Sequence, residues 1–144
     1  MTGRRKLNTK ASTKAAITVT RAALRGDKLV YVGCANKRIR YKWARSRVVY
    51  IGRTEVGAGR VAVSVTSKAK ELLGEHGLKV LEFFPIMPEG RQRIKSWNQL
   101  ESDLLLEFRR TFGELPRCNK RLEGKSLSGL FSQVRLRRII ERYS

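Results

Sequence analysis

Between residues 96 and 113, apolar side chains return with helical spacing: Trp97, Leu100, Leu104, Leu105, Phe108 and Phe112 form one stripe. Ser96, with Gln99 three residues on, has the form of a capping box. Gly113, behind Arg109 and Arg110, reads as a C-terminal stop with cations at the negative end of the helix dipole. The pattern predicts one helix with both ends marked. On a wheel of ~100° per residue with Trp97 at zero, the stripe centres near ~10°. Glu101 falls at ~40°, inside the stripe, whereas Asp103 and Glu107 fall at roughly 240° and 280°, at or beyond its edge. An ionised carboxylate on a buried face is costly unless a cation or metal compensates it. Glu101 is therefore expected either to pair with an arginine or to project into a cleft as a metal ligand or catalytic acid.

Period-two alternation predicts strands elsewhere. Lys28 to Gly33 and Arg47 to Gly52 are β-branched and aromatic, and Arg38 to Trp43 alternates basic with apolar. Asn36-Lys37 and Ala44-Arg45-Ser46 are the expected turns between these three short strands. A helix is expected from roughly Arg60 or Thr66 to Leu73, closed by Gly74 or Gly77, with Val61, Val63 and Val65 pulling its start towards strand. Leu78 to Ile86 reads as an apolar strand ended by Pro85 and Pro88, with Phe83 and Phe84 in the core. A basic loop, Glu89 to Lys95, leads into the 96–113 helix, and Glu114 to Asn119 forms its exit. A last helix is expected over about Leu127 to Tyr143, with Leu127, Leu130, Phe131 and Val134 on its apolar stripe. Thr13 to Leu24 has the pattern of a weakly amphipathic helix. Trp43 and Trp97 are both expected to pack, and His76 to sit exposed at a helix end.

Charge narrows the function. The 144 residues suffice for one domain with a modest core. Lys+Arg 32 against Asp+Glu 12 gives a formal net charge of +20. Such a charge opposes compaction by self-repulsion and points to a polyanionic partner. No apolar run is long enough to span a bilayer, so nucleic acid is favoured over membrane. Cys34, Cys118 and His76 are too few and too scattered for a structural zinc site, and reduced thiols in the cytoplasm are the expectation. Residues 1–27 hold no acid before Asp27. They read as a basic nucleic-acid-binding arm, although an Arg- and Ser/Thr-bearing start also has the character of an organellar transit peptide.

Two segments share a feature: Val30-Tyr31-Val32-Gly33 and Val49-Tyr50-Ile51-Gly52 each place a tyrosine two residues before a glycine. Tyr50-Ile51-Gly52-Arg53-Thr54, preceded by Leu29-Val30-Tyr31 and followed by Arg60, Glu101, Pro116 and Asn119, resembles the GIY-YIG nuclease superfamily. The second motif is literal. In the first, Leu29-Val30 stands where the family usually has Gly-Ile. The Tyr31-to-Tyr50 spacing is longer than in typical members, and Ser64 stands where a histidine often follows the helix arginine. The resemblance covers about residues 28–120. It implies an α/β fold, a small three-stranded antiparallel sheet flanked by helices, which hydrolyses phosphodiesters with one divalent metal. On this resemblance Glu101 holds Mg²⁺ or Mn²⁺, Tyr31 and Tyr50 lie across the sheet from it with one of them as general base, and Arg60 binds the scissile phosphate.

The expected organisation is a basic arm over 1–27, a GIY-YIG-like domain over 28–120 and a basic helical extension over 121–144. The expected function is metal-dependent cleavage of DNA, in the manner of a homing, phage or restriction endonuclease. Arg4, Arg5, Lys6, Lys37, Arg38, Arg40, Lys42, Arg47, Arg53 and Asn119 are the expected nucleic-acid contacts, with DNA favoured over RNA and no membrane partner. The alternative is a catalytically silent relative that binds structured RNA within a ribonucleoprotein such as a ribosome.

Overall fold

Strand-forming residues build the longest element, β1 (Leu29–Arg40), whose first seven residues are all buried. The structure, a computed structural model, describes residues 6–14, 28–55, 67, 68, 70, 71, 73, 74, 77–88, 96–122 and 126–144. β1 runs straight through the turn expected at Asn36-Lys37. Asn36 itself explains why: its N–H donates to the Val80 carbonyl at 3.2 Å. Its side-chain oxygen accepts from the N–H groups of Lys79 and Val80. These bonds extend the pairing of β1 where a turn would end it. The chain reverses only at 41–44, where the Tyr41 N–H donates to the Ala44 carbonyl at 2.8 Å. Arg38 to Trp43 is therefore not a separate strand but the end of β1 and the tip of one long hairpin.

β2 (Arg45–Thr54) returns along one side of β1, and β3 (Leu81–Ile86) pairs on the other. The sheet has three strands in the order β2-β1-β3, both pairings antiparallel. This is the expected small antiparallel sheet. Pro85 lies within β3, opposite Tyr31, rather than ending the strand. An edge strand tolerates the missing donor because one row of its N–H groups has no neighbour.

Alternation gives the sheet two apolar faces. Val30, Val32, Cys34, Val48 and Ile51 pack against Trp97, Leu100, Leu104, Leu105 and Phe108 of α1 (Ser96–Phe112) and against Leu136 and Ile140 of α2 (Gln133–Tyr143). On the other face lie Ala35, Val49, Leu78 and Cys118, with Tyr50, Leu73 and Leu81 packed around them. A register shift between Gly33 and Cys34 lets β2 take two steps for one of β1. Leu73 belongs to a helical stretch that includes Ser67, Lys68, Lys70, Glu71 and Gly74, as expected for that part of the chain.

α1 stops where expected: Gly113 has φ +82° and its N–H donates to the Arg109 carbonyl at 2.8 Å. Ser96 lies inside the helix rather than at its N-cap. The wheel misplaced two acids. Asp103 and Glu107, read as edge residues, are buried. The segment before α2 and α2 itself cover that side of the helix: Ser128 donates to Asp103 from its N–H and its hydroxyl, at 3.0 and 2.6 Å. Gln133 reaches Glu107 at 3.4 Å.

The last helix begins later than its apolar residues suggested. Gly129, at φ +82°, breaks the chain, and Ser132 caps α2 by accepting from the Arg135 N–H. Leu127 and Leu130 therefore precede the helix, and they and Val134 are exposed. The buried stripe is Leu136 and Ile140 instead. The helix expected over Thr13 to Leu24 falls almost wholly outside the described residues. Among the described residues, no helix is long and apolar enough to cross a membrane.

Candidate active site and basic surface

β1 and β2 bring the two tyrosines together. Tyr31 pairs with Gly52 and Gly33 with Tyr50, so the phenols occupy diagonal positions on one face, ring centroids 5.8 Å apart. Both converge on Gly52. A Cβ there would stand 2.6 Å from the Tyr50 ring and 2.7 to 2.8 Å from the tip of Tyr31. The glycine of the Tyr-Ile-Gly motif is thus required by the rings above it. Tyr31 is only 2% exposed and also meets the Phe83 ring at 6.2 Å. Tyr50 is half-buried, and the Lys68 ammonium lies 5.1 Å from its ring centroid.

Glu101 belongs to α1, on the opposite face of the sheet from these rings. Its side chain is 19% exposed and stands 4.0 Å from the Arg53 guanidinium. The arginine partnership foreseen as one of its two roles is therefore present. One turn earlier on α1, the side-chain oxygen of Asn98 is buried and has no hydrogen-bond partner among the described residues. Mg²⁺ typically takes one or two carboxylates and fills its remaining positions with water and substrate phosphate oxygens. Glu101 with a hard oxygen donor one turn away fits that requirement. No group of three or more His, Cys, Asp or Glu gathers among the described residues.

Asn119 is committed to the backbone. Its oxygen accepts from the Ile51 N–H at 2.9 Å and its amide donates to the Ile51 carbonyl at 2.8 Å. The Cys118 N–H donates to the Val49 carbonyl at 2.9 Å. Together they close the outer edge of β2 at the motif strand. Arg60, Arg4 and Arg5 lie outside the described residues, as do His76, Ser64 and the loop Arg91 to Lys95. Lys6 is exposed.

The remaining expected contacts gather at the far end of the hairpin. Lys37, Arg38, Arg40, Lys42 and Arg47 are all exposed. Lys37, Arg38 and Arg40 join Arg45 and Arg117 around a cleft of about 400 Å³ with Ile39 and Leu78 at its base. Arg45 and Arg117 were not foreseen. Arg117 is held there by donating to the Arg40 carbonyl at 2.9 Å, its guanidinium 5.6 Å from the Tyr41 ring centroid. Tyr41, buried, donates to the Val48 carbonyl at 2.6 Å, and burial raises its phenol pKa. Trp97 packs as expected, but Trp43 is 64% exposed at the hairpin tip.

Compared with known proteins, the chain matches no family model, no curated protein and no solved structure. Fold and site together define a small α/β domain with an antiparallel sheet, a paired-tyrosine face and a basic hairpin.

Proposed function

We propose that the chain is a metal-dependent endonuclease of GIY-YIG type that hydrolyses DNA phosphodiesters. The observation that carries this reading is the convergence of Tyr31 and Tyr50 on Gly52, with the Arg53–Glu101 pair at the next position of β2. Residues 50–53 thereby set a phenol on one face of the sheet and an acid-bound cation on the other, at the same end of the ladder. Tyr50, the less buried of the two phenols, is the one that takes a proton from attacking water; Tyr31 buttresses it. Glu101, with the Asn98 oxygen, would hold Mg²⁺ or Mn²⁺, which would supply Lewis acidity to the phosphate oxygens when bound. Arg60 binds the scissile phosphate and faces the negative charge that grows there. The hairpin cations, at the other end of the ladder, hold phosphates further along the strand.

A second reading, a non-cleaving binder of structured RNA, is favoured by one observation: Tyr31 is walled from water and the sheet separates the phenols from Glu101. Supercoiled plasmid decides between them. Nicking that requires Mg²⁺, stops with chelator and is abolished in Glu101→Ala and Tyr50→Phe supports the nuclease. In that case Arg60→Ala lowers the rate by roughly 10²–10³, the usual scale for one electrostatic stabiliser. Salt-sensitive RNA binding with no nicking by the wild-type chain supports the binder.

A further inference from the structure

A large indole left in water at a fixed position is the feature neither reading uses. Trp43 is 64% exposed, yet it is not loose. Its backbone N–H donates to the Phe112 carbonyl at 3.1 Å. Its ring lies against Gly113, where a Cβ would come within 2.8 to 2.9 Å of the indole's fused carbons. The positive φ of Gly113 that stops α1 also keeps this position bare, so one glycine both ends the helix and seats the ring. Beside the indole runs a groove of about 520 Å³, bordered by Leu106 and Leu127 and by Arg109 and Arg110. That volume lies within the range of sites that take small ligands, roughly 300–1,000 Å³. Glu107 lies beneath, its carboxylate met by Arg110 at 4.0 Å and by Gln133.

We infer that Trp43 is a stacking platform for an unpaired base of a single-stranded nucleic acid whose phosphates lie on Arg109 and Arg110. An aromatic face beside exposed cations is the combination that binds single strands, the ring taking the base and the cations the backbone. Charge selects this occupant. A second copy of the chain would bring +20 against +20, and an apolar partner helix has no use for two arginines on the rim. A paired base within the stack offers its face to the indole only at the cost of unstacking a base step, so the groove favours unpaired strand over duplex. The inference rests on the nucleic-acid partner in the proposed function and not on cleavage. Glu101 and Arg109 stand on the same helix, separated by ~12 Å of rise.

Trp97, buried at 3% exposure, makes tryptophan fluorescence a direct probe, because only Trp43 is open to a stacked base. A short oligothymidylate titrated in chelator is expected to quench the Trp43 signal. Trp43→Ala is expected to bind it on the order of tenfold more weakly or worse, the scale of one base–aromatic stack, while Trp43→Phe keeps most of the affinity. An oligomer of the same length made of abasic sites keeps the phosphates and removes the bases. It should bind wild type and Trp43→Ala alike, without quenching. The inference is overturned if oligothymidylate fails to bind or to quench, if Trp43→Ala binds it unchanged, or if the abasic strand matches it on wild type. It is also overturned if Trp43→Ala abolishes self-association of the chain and leaves strand binding intact. Since no metal is present, these results are independent of plasmid nicking, and either reading can fail alone.

Discussion

At Gly52 two phenols occupy the space where a side chain would stand. Tyr31 has nowhere to swing, being buried between Tyr50 and Phe83. Gly52→Ala is therefore expected to destabilise the fold by about 1–3 kcal/mol, the usual cost of forcing a methyl into a packed site. A shift in urea midpoint at constant slope measures it. The thiols give a second prediction. Burial pushes Cys34 up to about 12 and Cys118 up to about 11, from an ordinary value of 9.0. Each folded thiol keeps its proton at pH values where the unfolded chain has released it, so the unfolded state binds fewer protons and stability falls as pH rises. The contribution is whole below about pH 9 and lost progressively to pH 11 for Cys118 and 12 for Cys34. Denaturant midpoints between pH 8 and 11 should decline, and less so in Cys34→Ala, whose own destabilisation is independent of pH. At this scale the tyrosine pair was visible in the sequence as a repeated Tyr-x-Gly. The exposure of Trp43 was not, because an indole's hydrophobicity says nothing of whether a neighbour arrives to cover it.

The strands and helices show where local signals hold and where they yield. α1 was legible at its C-terminal end because Gly113 and the two arginines before it act within the helix itself. The turn signal at Asn36-Lys37 lost to pairing with Lys79 and Val80, more than forty residues away. The edge of β2 is closed by Asn119, which pairs with Ile51 as a strand would. Asn119→Ala is expected to cost about 1–3 kcal/mol by leaving backbone groups unpaired. Asn119→Asp should be no milder, since it sets a carboxylate oxygen against the Ile51 carbonyl. Thermal or denaturant unfolding of both variants checks this. The same closure makes Asn119 a structural residue first, whatever nucleic acid contact the resemblance implies for it.

Taken as a whole, the molecule separates its two kinds of surface. Glu101 and the tyrosine motif sit towards one end of the β1–β2 ladder, and the basic cleft of Lys37, Arg38, Arg40, Arg45 and Arg117 at the other. If this surface engages six to ten phosphates, affinity for duplex should fall by about 10³–10⁵ between 50 and 200 mM salt. Anisotropy titrations at several salt concentrations read the slope, and Arg45→Ser with Arg117→Ser should flatten it. A slope unchanged in that double variant would place the phosphate contacts elsewhere. Arg45 opens β2 and Arg117 lies far along the chain in the 115–119 segment, so their proximity had no linear trace.

The sequence alone determined the alternating sheet strands, the main helix with its glycine stop, and the net charge of +20. These depend on periodicities and terminal signals that act within a few residues. Tertiary structure alone decided which acids are buried, where the hairpin turns and which tryptophan meets water. A helical wheel reports the face a helix offers its first partner; Asp103 and Glu107 lie beneath a second, α2 and the segment before it. Coverage by a distant element depends on where the chain returns in space, and no local period encodes that.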